Sequence, residues 1–255
     1  VTFYSNQFVS SSKDESGYDW KSSFYLNHPI LSKACFSHRN AAQGNYDLGL
    51  IEDYISKQTT IETGERDLII FHLGGQHFDA KGQFPPEFEY FTIDSIPQNI
   101  PNEWKQKVAD YDNSTRYNDV VISTIIDLYK DRDALVVYLS DHAEEVCDCR
   151  NFYGRAHDFE ACNWNVMKNQ LDVPLLFFAS DLYEKSHPEI ISQLKEATNK
   201  RFMIDDISHL MFSLGGVNTK FYQDSRNPLS SNYTIDRNRM VSADGEHSDI
   251  NYDAH

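Results

Sequence analysis

Residues 134–145, ALVVYLSDHAEE, decide the reading of this chain, because six apolar residues run directly into Ser140, Asp141, His142 and a pair of glutamates. An unbroken apolar run this short, bounded by polar residues, reads as a strand covered on both faces. Its polar continuation then lies at the carboxyl edge of a sheet, which is where open α/β sheets bind their ligands. An aspartate next to a histidine at that edge presents an anionic oxygen and a neutral imidazole nitrogen, a common pair of Zn²⁺ ligands. Asp141 and His142 are therefore the candidate metal ligands.

The same pattern recurs on both sides of this stretch. Residues 67–73 (DLIIFHL) form an apolar run that ends on His72 and opens into Gly74-Gly75-Gln76-His77. Residues 173–179 (VPLLFFA) form a third run, and residues 1–5 read as a short strand. Between the first two long runs, Trp104, Val108, Tyr111, Val121, Ile122, Ile125 and Leu128 recur at helical spacing over residues 102–129, with Pro101 suited to the start. Residues 205–214 predict a second amphipathic helix, capped by Asp205 or Asp206 and closed by Gly215-Gly216. The last forty or so residues are polar and are expected to wrap the surface. Alternating strands and helices predict an α/β fold, a three-layer sandwich with a mostly parallel central sheet, occupying residues 1–255 as one domain.

At the predicted carboxyl edge, the glycine turn after His72 would let backbone approach a phosphoryl group. Glu144 and His157, which lies fifteen positions beyond His142, would add ligands or orient a substrate. A lone histidine at a strand end, such as His72, is more often a hydrogen-bonded structural residue.

Composition narrows the partners. With 39 acidic and 23 basic residues the formal charge is −16, a surface that repels phosphate backbones and excludes nucleic acid as the expected partner. No apolar segment approaches the roughly 18–20 residues that cross a bilayer. The opening VTFYSN has neither the basic start nor the apolar run of a signal peptide and reads as the edge of an excised domain or processed product. Neither a phosphate-cradling P-loop nor a G-x-S-x-G elbow occurs. Of the four cysteines, Cys147 and Cys149 are too close to bond each other. Either can pair with Cys162, or the thiols stay free; zinc-knuckle spacing is absent.

Taken in order, FHLGGQH, FPPEFEYFT, YDNSTRYNDVVI, VVYLSDHAEE, GRAHD and VPLLFFAS resemble the lipid A phosphoethanolamine transferases of the sulfatase/alkaline phosphatase superfamily, from Thr2 to about Phe221. Pro85-Pro86-Glu87-Phe88 with Phe91-Thr92 match one motif, and Tyr111-Asp112-Asn113-Ser114 with Tyr117 and Asp119 match another. Ser140-Asp141-His142-Ala143-Glu144 stands where the family carries SDHGE, with alanine replacing a glycine; a Cβ there would resist a positive φ.

The resemblance implies an alkaline phosphatase/sulfatase-like fold and a zinc-dependent enzyme. Asp141 and His142 would ligate the zinc, His77 and His157 would bind substrate phosphate or a second metal, Glu144 would neighbour that second site, and Lys13 would touch substrate. It also implies a threonine nucleophile upstream of Val1, so that this chain alone is expected to be inactive. In the implied reaction, that threonine attacks phosphatidylethanolamine and passes phosphoethanolamine to lipid A or another glycan acceptor. The domain would stand in the periplasm, anchored to the inner membrane by N-terminal helices. Two other readings share the same residues: a sulfatase-like hydrolase of phosphate or sulfate esters, and a non-catalytic domain of the same fold.

Overall fold

The computed structural model describes residues 1–6, 46–58, 64, 66–77, 79–155, 164, 168–234, 236–242 and 249–254, with the backbone alone for 35–37, 242 and 249. It divides into two compact units, Val1–Ile125 and Ile126–His255.

The first unit is built on three parallel strands, β1 (Thr2–Ser5), β2 (Cys35–Ser37) and β3 (Ile69–His72), in the order β2-β1-β3. The register pairs Tyr4 with Phe71 and Ser5 with His72, and the Asn6 N–H extends the ladder to the His72 carbonyl at 2.8 Å. The carboxyl ends of β1 and β3 therefore sit side by side. Helix α1 (Asp47–Lys57) buries Asp47, Leu50, Ile51 and Tyr54, a single stripe at helical spacing. Tyr54 packs edge-on against Tyr4 at 5.2 Å and against Phe71 at 5.1 Å, fastening the helix to the sheet through three aromatic rings.

Helix α2 (Asn102–Tyr129) begins directly after Pro101, as predicted. Its apolar face is narrower than the sequence suggests. Val108, Val121 and Ile125 are buried, but so are Asn113, Ser114 and Asn118 in the middle of the helix. The Asn113 side chain explains its own burial. Its Oδ1 accepts the Tyr90 and Phe91 N–H groups, both at 2.8 Å, and its Nδ2 donates to the Phe91 carbonyl at 2.9 Å. Tyr90 and Phe91, which have no ladder of their own, thus obtain their backbone partners from one side chain of α2. Phe88 meets Tyr117 edge-on at 4.8 Å, and the Arg116 guanidinium donates to the Phe88 carbonyl.

In the second unit, β4 (Leu135–Leu139) and β7 (Leu175–Ala179) pair over five residues, antiparallel. The parallel ladders expected of the sheet run through β1, β2 and β3; an apolar run does not encode strand direction. The cover on both faces that it predicts is incomplete, since β4 is half-buried throughout and Ile70 of β3 and Leu176 of β7 are exposed. Short ladders join β5 (Glu145–Val146) to β6 (Tyr153–Gly154) and β8 (Met240–Ser242) to β9 (Asp249–Asn251). Ser180 opens helix α3 (Asp181–Ser186), accepting the Tyr183 N–H while donating to the Arg132 carbonyl.

Helices α4 (Pro188–Ala197) and α5 (Ile207–Leu214) supply a core around Leu194, Leu210 and Leu229, against which Leu135 and Phe177 of the ladder also pack. Gly216, at φ +62°, closes α5 as expected. The expected cap does not form. Asp206 stands at the N-cap position, yet its carboxylate takes Arg226 at 2.7 Å and Arg237 at 2.8 Å in place of a helix N–H. Those arginines, with Asp205, tie the polar C-terminal segment to the start of α5. No helix among the described residues is long and apolar enough to cross a membrane.

Candidate metal and phosphoryl-binding residues

Strand β4 ends at Leu139 and delivers Ser140, Asp141 and His142 together, as the apolar-to-polar switch predicts. The Ser140 hydroxyl donates back to the His142 carbonyl at 2.6 Å, folding the chain into a tight bend. That bend turns the two side chains toward each other, with His142 Nε2 3.8 Å from Asp141 Oδ1. His142 Nδ1 lies 3.3 Å from the Ala143 carbonyl, an orientation that leaves Nε2 on the side of Asp141.

A carboxylate oxygen and an imidazole nitrogen are common zinc donors, and here the two lie side by side. The Asp141 carboxylate is 82% exposed, open to an ion from solvent. Among the described residues no group of three His, Cys, Asp or Glu side chains is gathered for a metal. Ala143 carries no backbone strain: the non-glycine residue with positive φ among the described residues is Cys147. The expected conflict between its Cβ and the bend is absent, because the bend does not use the left-handed region.

Glu144 is half-buried just beyond this pair. Its neighbour Glu145, which the sequence reading passes over, is fully buried and accepts Gln170 at 3.0 Å and Arg150 at 3.3 Å. A buried carboxylate with two such donors is a structural anchor for the loop 145–154. Cys147 is a buried thiol outside any disulfide, and Cys149 is disulfide-bonded, its partner lying outside the described side chains.

The first unit presents a different set of groups. His72 pairs its Nδ1 with the Ser5 hydroxyl at 3.0 Å, across the register that aligns the two residues. This is the structural role expected of a strand-end histidine. The turn that follows places His77 exposed, its N–H closing on the Gly74 carbonyl at 3.1 Å. The glycine N–H groups expected to face a phosphoryl group are engaged elsewhere. Gly74 and Gly75 donate to the two carboxylate oxygens of Asp47, each at 2.9 Å. Asp47 and Asn6 escaped the sequence reading, because one sits in an ordinary amphipathic helix and the other just past a short strand. Lys13 and His157 lie outside the described residues.

Comparison with known proteins places these observations. The family model described as Sulfatase matches residues 2–217. The chain is 25% identical over 201 residues to phosphoethanolamine transferase EptC of Escherichia coli O18:K1:H7, covering 76% of this chain and 33% of that protein. It is 28% identical over 138 residues to the Kdo(2)-lipid A phosphoethanolamine 7''-transferase of Escherichia coli K12, covering 53% of this chain and 23% of that one. It thus spans about a third or less of the length of these relatives.

Two crystal structures of the C-terminal periplasmic domain of EcEptC from Escherichia coli, one in complex with Zn, superpose with TM-scores of 0.74 and 0.72 at 21% identity, covering 99% of this chain and 68% of theirs. That likeness shows an α/β fold of the alkaline phosphatase-like kind. Since the family model covers most of its length, the chain belongs to the sulfatase family.

Proposed function

We propose that this chain is part of the catalytic domain of a zinc-dependent phosphoethanolamine transferase, which moves phosphoethanolamine from phosphatidylethanolamine to lipid A or a related glycan. The observation that carries the reading is the bend after β4, which turns His142 Nε2 toward Asp141 Oδ1. It occurs within a sulfatase-family chain whose curated relatives are named phosphoethanolamine transferases. Support for zinc comes from that donor pair and from a Zn complex among the structural neighbours.

In this reading Asp141 and His142 hold the ion, with the Ala143 carbonyl orienting the imidazole. A bound zinc lowers the pKa of a hydroxyl nucleophile and stabilises charge developing on phosphoryl oxygens. His77 and His157 bind those oxygens or protonate the departing one, Glu144 neighbours a second metal or the substrate, and Lys13 contacts substrate. The nucleophile is assigned to a threonine on the N-terminal side of Val1. A periplasmic location, with an inner-membrane anchor outside these residues, suits a chain carrying a disulfide, since such bonds persist in oxidising compartments.

The test is zinc stoichiometry and phosphoethanolamine transfer measured on the full-length protein. Asp141→Ala and His142→Ala are each expected to lose the metal and to lower turnover by at least about 100-fold. Transfer to lipid A that survives with no zinc bound would overturn the assignment. Release of free phosphoethanolamine with no transfer to any glycan would point to a hydrolase.

A further inference from the structure

Asp47 is a buried carboxylate with no part in the roles above. It is 2% exposed, on the first turn of α1, and three donors converge on it. Asn6 Nδ2 reaches Oδ1 at 2.6 Å, the Gly74 N–H reaches Oδ1 at 2.9 Å, and the Gly75 N–H reaches Oδ2 at 2.9 Å. Successive backbone N–H groups around a left-handed residue form a nest for an anion. Gly75 supplies that residue, at φ +56°, where glycine has no Cβ to clash. The nest is filled by the protein's own carboxylate.

Space confirms how closely the turn is held. A Cβ on Gly74 would come within 2.8 Å of Gln83 Oε1 and 3.5 Å of Asp47 Oδ1. Asp47 is itself held by α1, through buried Leu50, Ile51 and Tyr54 and through the Leu48 N–H donated to the Tyr117 hydroxyl at 3.1 Å. A two-glycine turn is among the softest pieces of backbone a chain can contain. Anchoring both its N–H groups to a carboxylate on a packed helix leaves it one geometry, and His77 leaves the turn at its end.

We infer that Asp47 is a positioning residue, an internal anion that occupies the glycine nest and sets the direction in which His77 points at the phosphoryl group. This rests on the phosphoryl-binding role proposed for His77.

The experiment uses the full-length protein, with Asp47→Asn, Gly75→Ala and His77→Ala singly and in pairs, assayed for phosphoethanolamine transfer. Asp47→Asn keeps the volume but turns one acceptor into a donor facing an N–H. Gly75→Ala disturbs the same turn without touching Asp47. Each is expected to lower kcat about 10- to 100-fold, as an ångström-scale misplacement does, with KM within about two-fold. In the His77→Ala background, Asp47→Asn should cost less than about two-fold more, because both act through one group.

Full multiplicative loss in the double variant overturns the inference, as does unchanged kcat in Asp47→Asn beside a damaged His77→Ala. A silent His77→Ala removes the phosphoryl-binding role itself and the inference with it. Circular dichroism and Tm identify a variant that fails to fold; should Asp47→Asn be one, Gly75→Ala with His77→Ala carries the same comparison.

Discussion

Asn113 shows how a single side chain can account for a motif. The segment FPPEFEYFT and the helix segment YDNSTRYND look in the sequence like two separate signatures. In the structure they are one device, because the Asn113 amide meets the backbone of Tyr90 and Phe91 through three hydrogen bonds. Truncating a buried group of this kind strands its partners, so Asn113→Ala is expected to lower stability by about 3 kcal/mol, read by urea denaturation. Asn113→Asp retains both acceptor bonds but turns its second oxygen on the Phe91 carbonyl in a fully buried site, so it is expected to destabilise as well. Unchanged stability in either variant would contradict this account. Ala143 is the opposite case: a departure from the family pattern that the backbone accepts without strain, since its φ is not positive.

At the scale of elements, the junction of β4, β7 and α3 depends on Ser180. Its hydroxyl accepts the Tyr183 N–H at the start of α3 and the Ala134 N–H beside β4, and donates to the Arg132 carbonyl. Ser180 is 1% exposed, so water cannot replace these bonds. Ser180→Ala should lower stability by about 2 kcal/mol, at the upper end of a helix-cap loss, and Ser180→Thr should restore part of it. Thermal unfolding measures both; a shift within error for Ser180→Ala would show that the junction is held by the Leu210 core alone. Helix α5 follows a different plan. Its N-cap carboxylate is given to arginines from the C-terminal segment, and the helix relies on burial of Leu210 instead of a side-chain cap.

At the scale of the molecule, charge joins the buried Leu229 in holding the C-terminal segment, which makes part of its attachment dependent on pH. The Arg237 guanidinium, with Arg226, holds the Asp205 carboxyl below the usual carboxylate range. A carboxyl whose folded pKa is depressed stabilises the fold above its ordinary value of about 4 and loses that contribution as pH falls through the lowered value. Asp205→Asn is therefore expected to lower Tm at pH 7, and its difference from the parent should shrink below about pH 4. A difference that stays constant across that window would assign the loss to packing.

The sequence by itself determined the features that depend on local pattern. The strands at β1, β3, β4 and β7, the span of α2 and the glycine stop of α5 were legible as elements, because apolar runs and helical period leave their mark on neighbouring residues, though β3, β4 and β7 are only partly buried. The Asp141-His142 pair was legible for the same reason, since a strand that stops abruptly delivers its next residues together. What tertiary structure alone decided are the partnerships between residues far apart in the chain. No local pattern marks Asp47 as the acceptor of Gly74 and Gly75, Asn113 as the clasp of residues 90–91, or Asp206 as an arginine partner instead of a cap. Nor does an apolar run state whether its neighbour lies parallel or antiparallel. These choices arise when buried polar groups must find partners among whatever the packed elements bring within about 3 Å, and that inventory exists only in the folded chain.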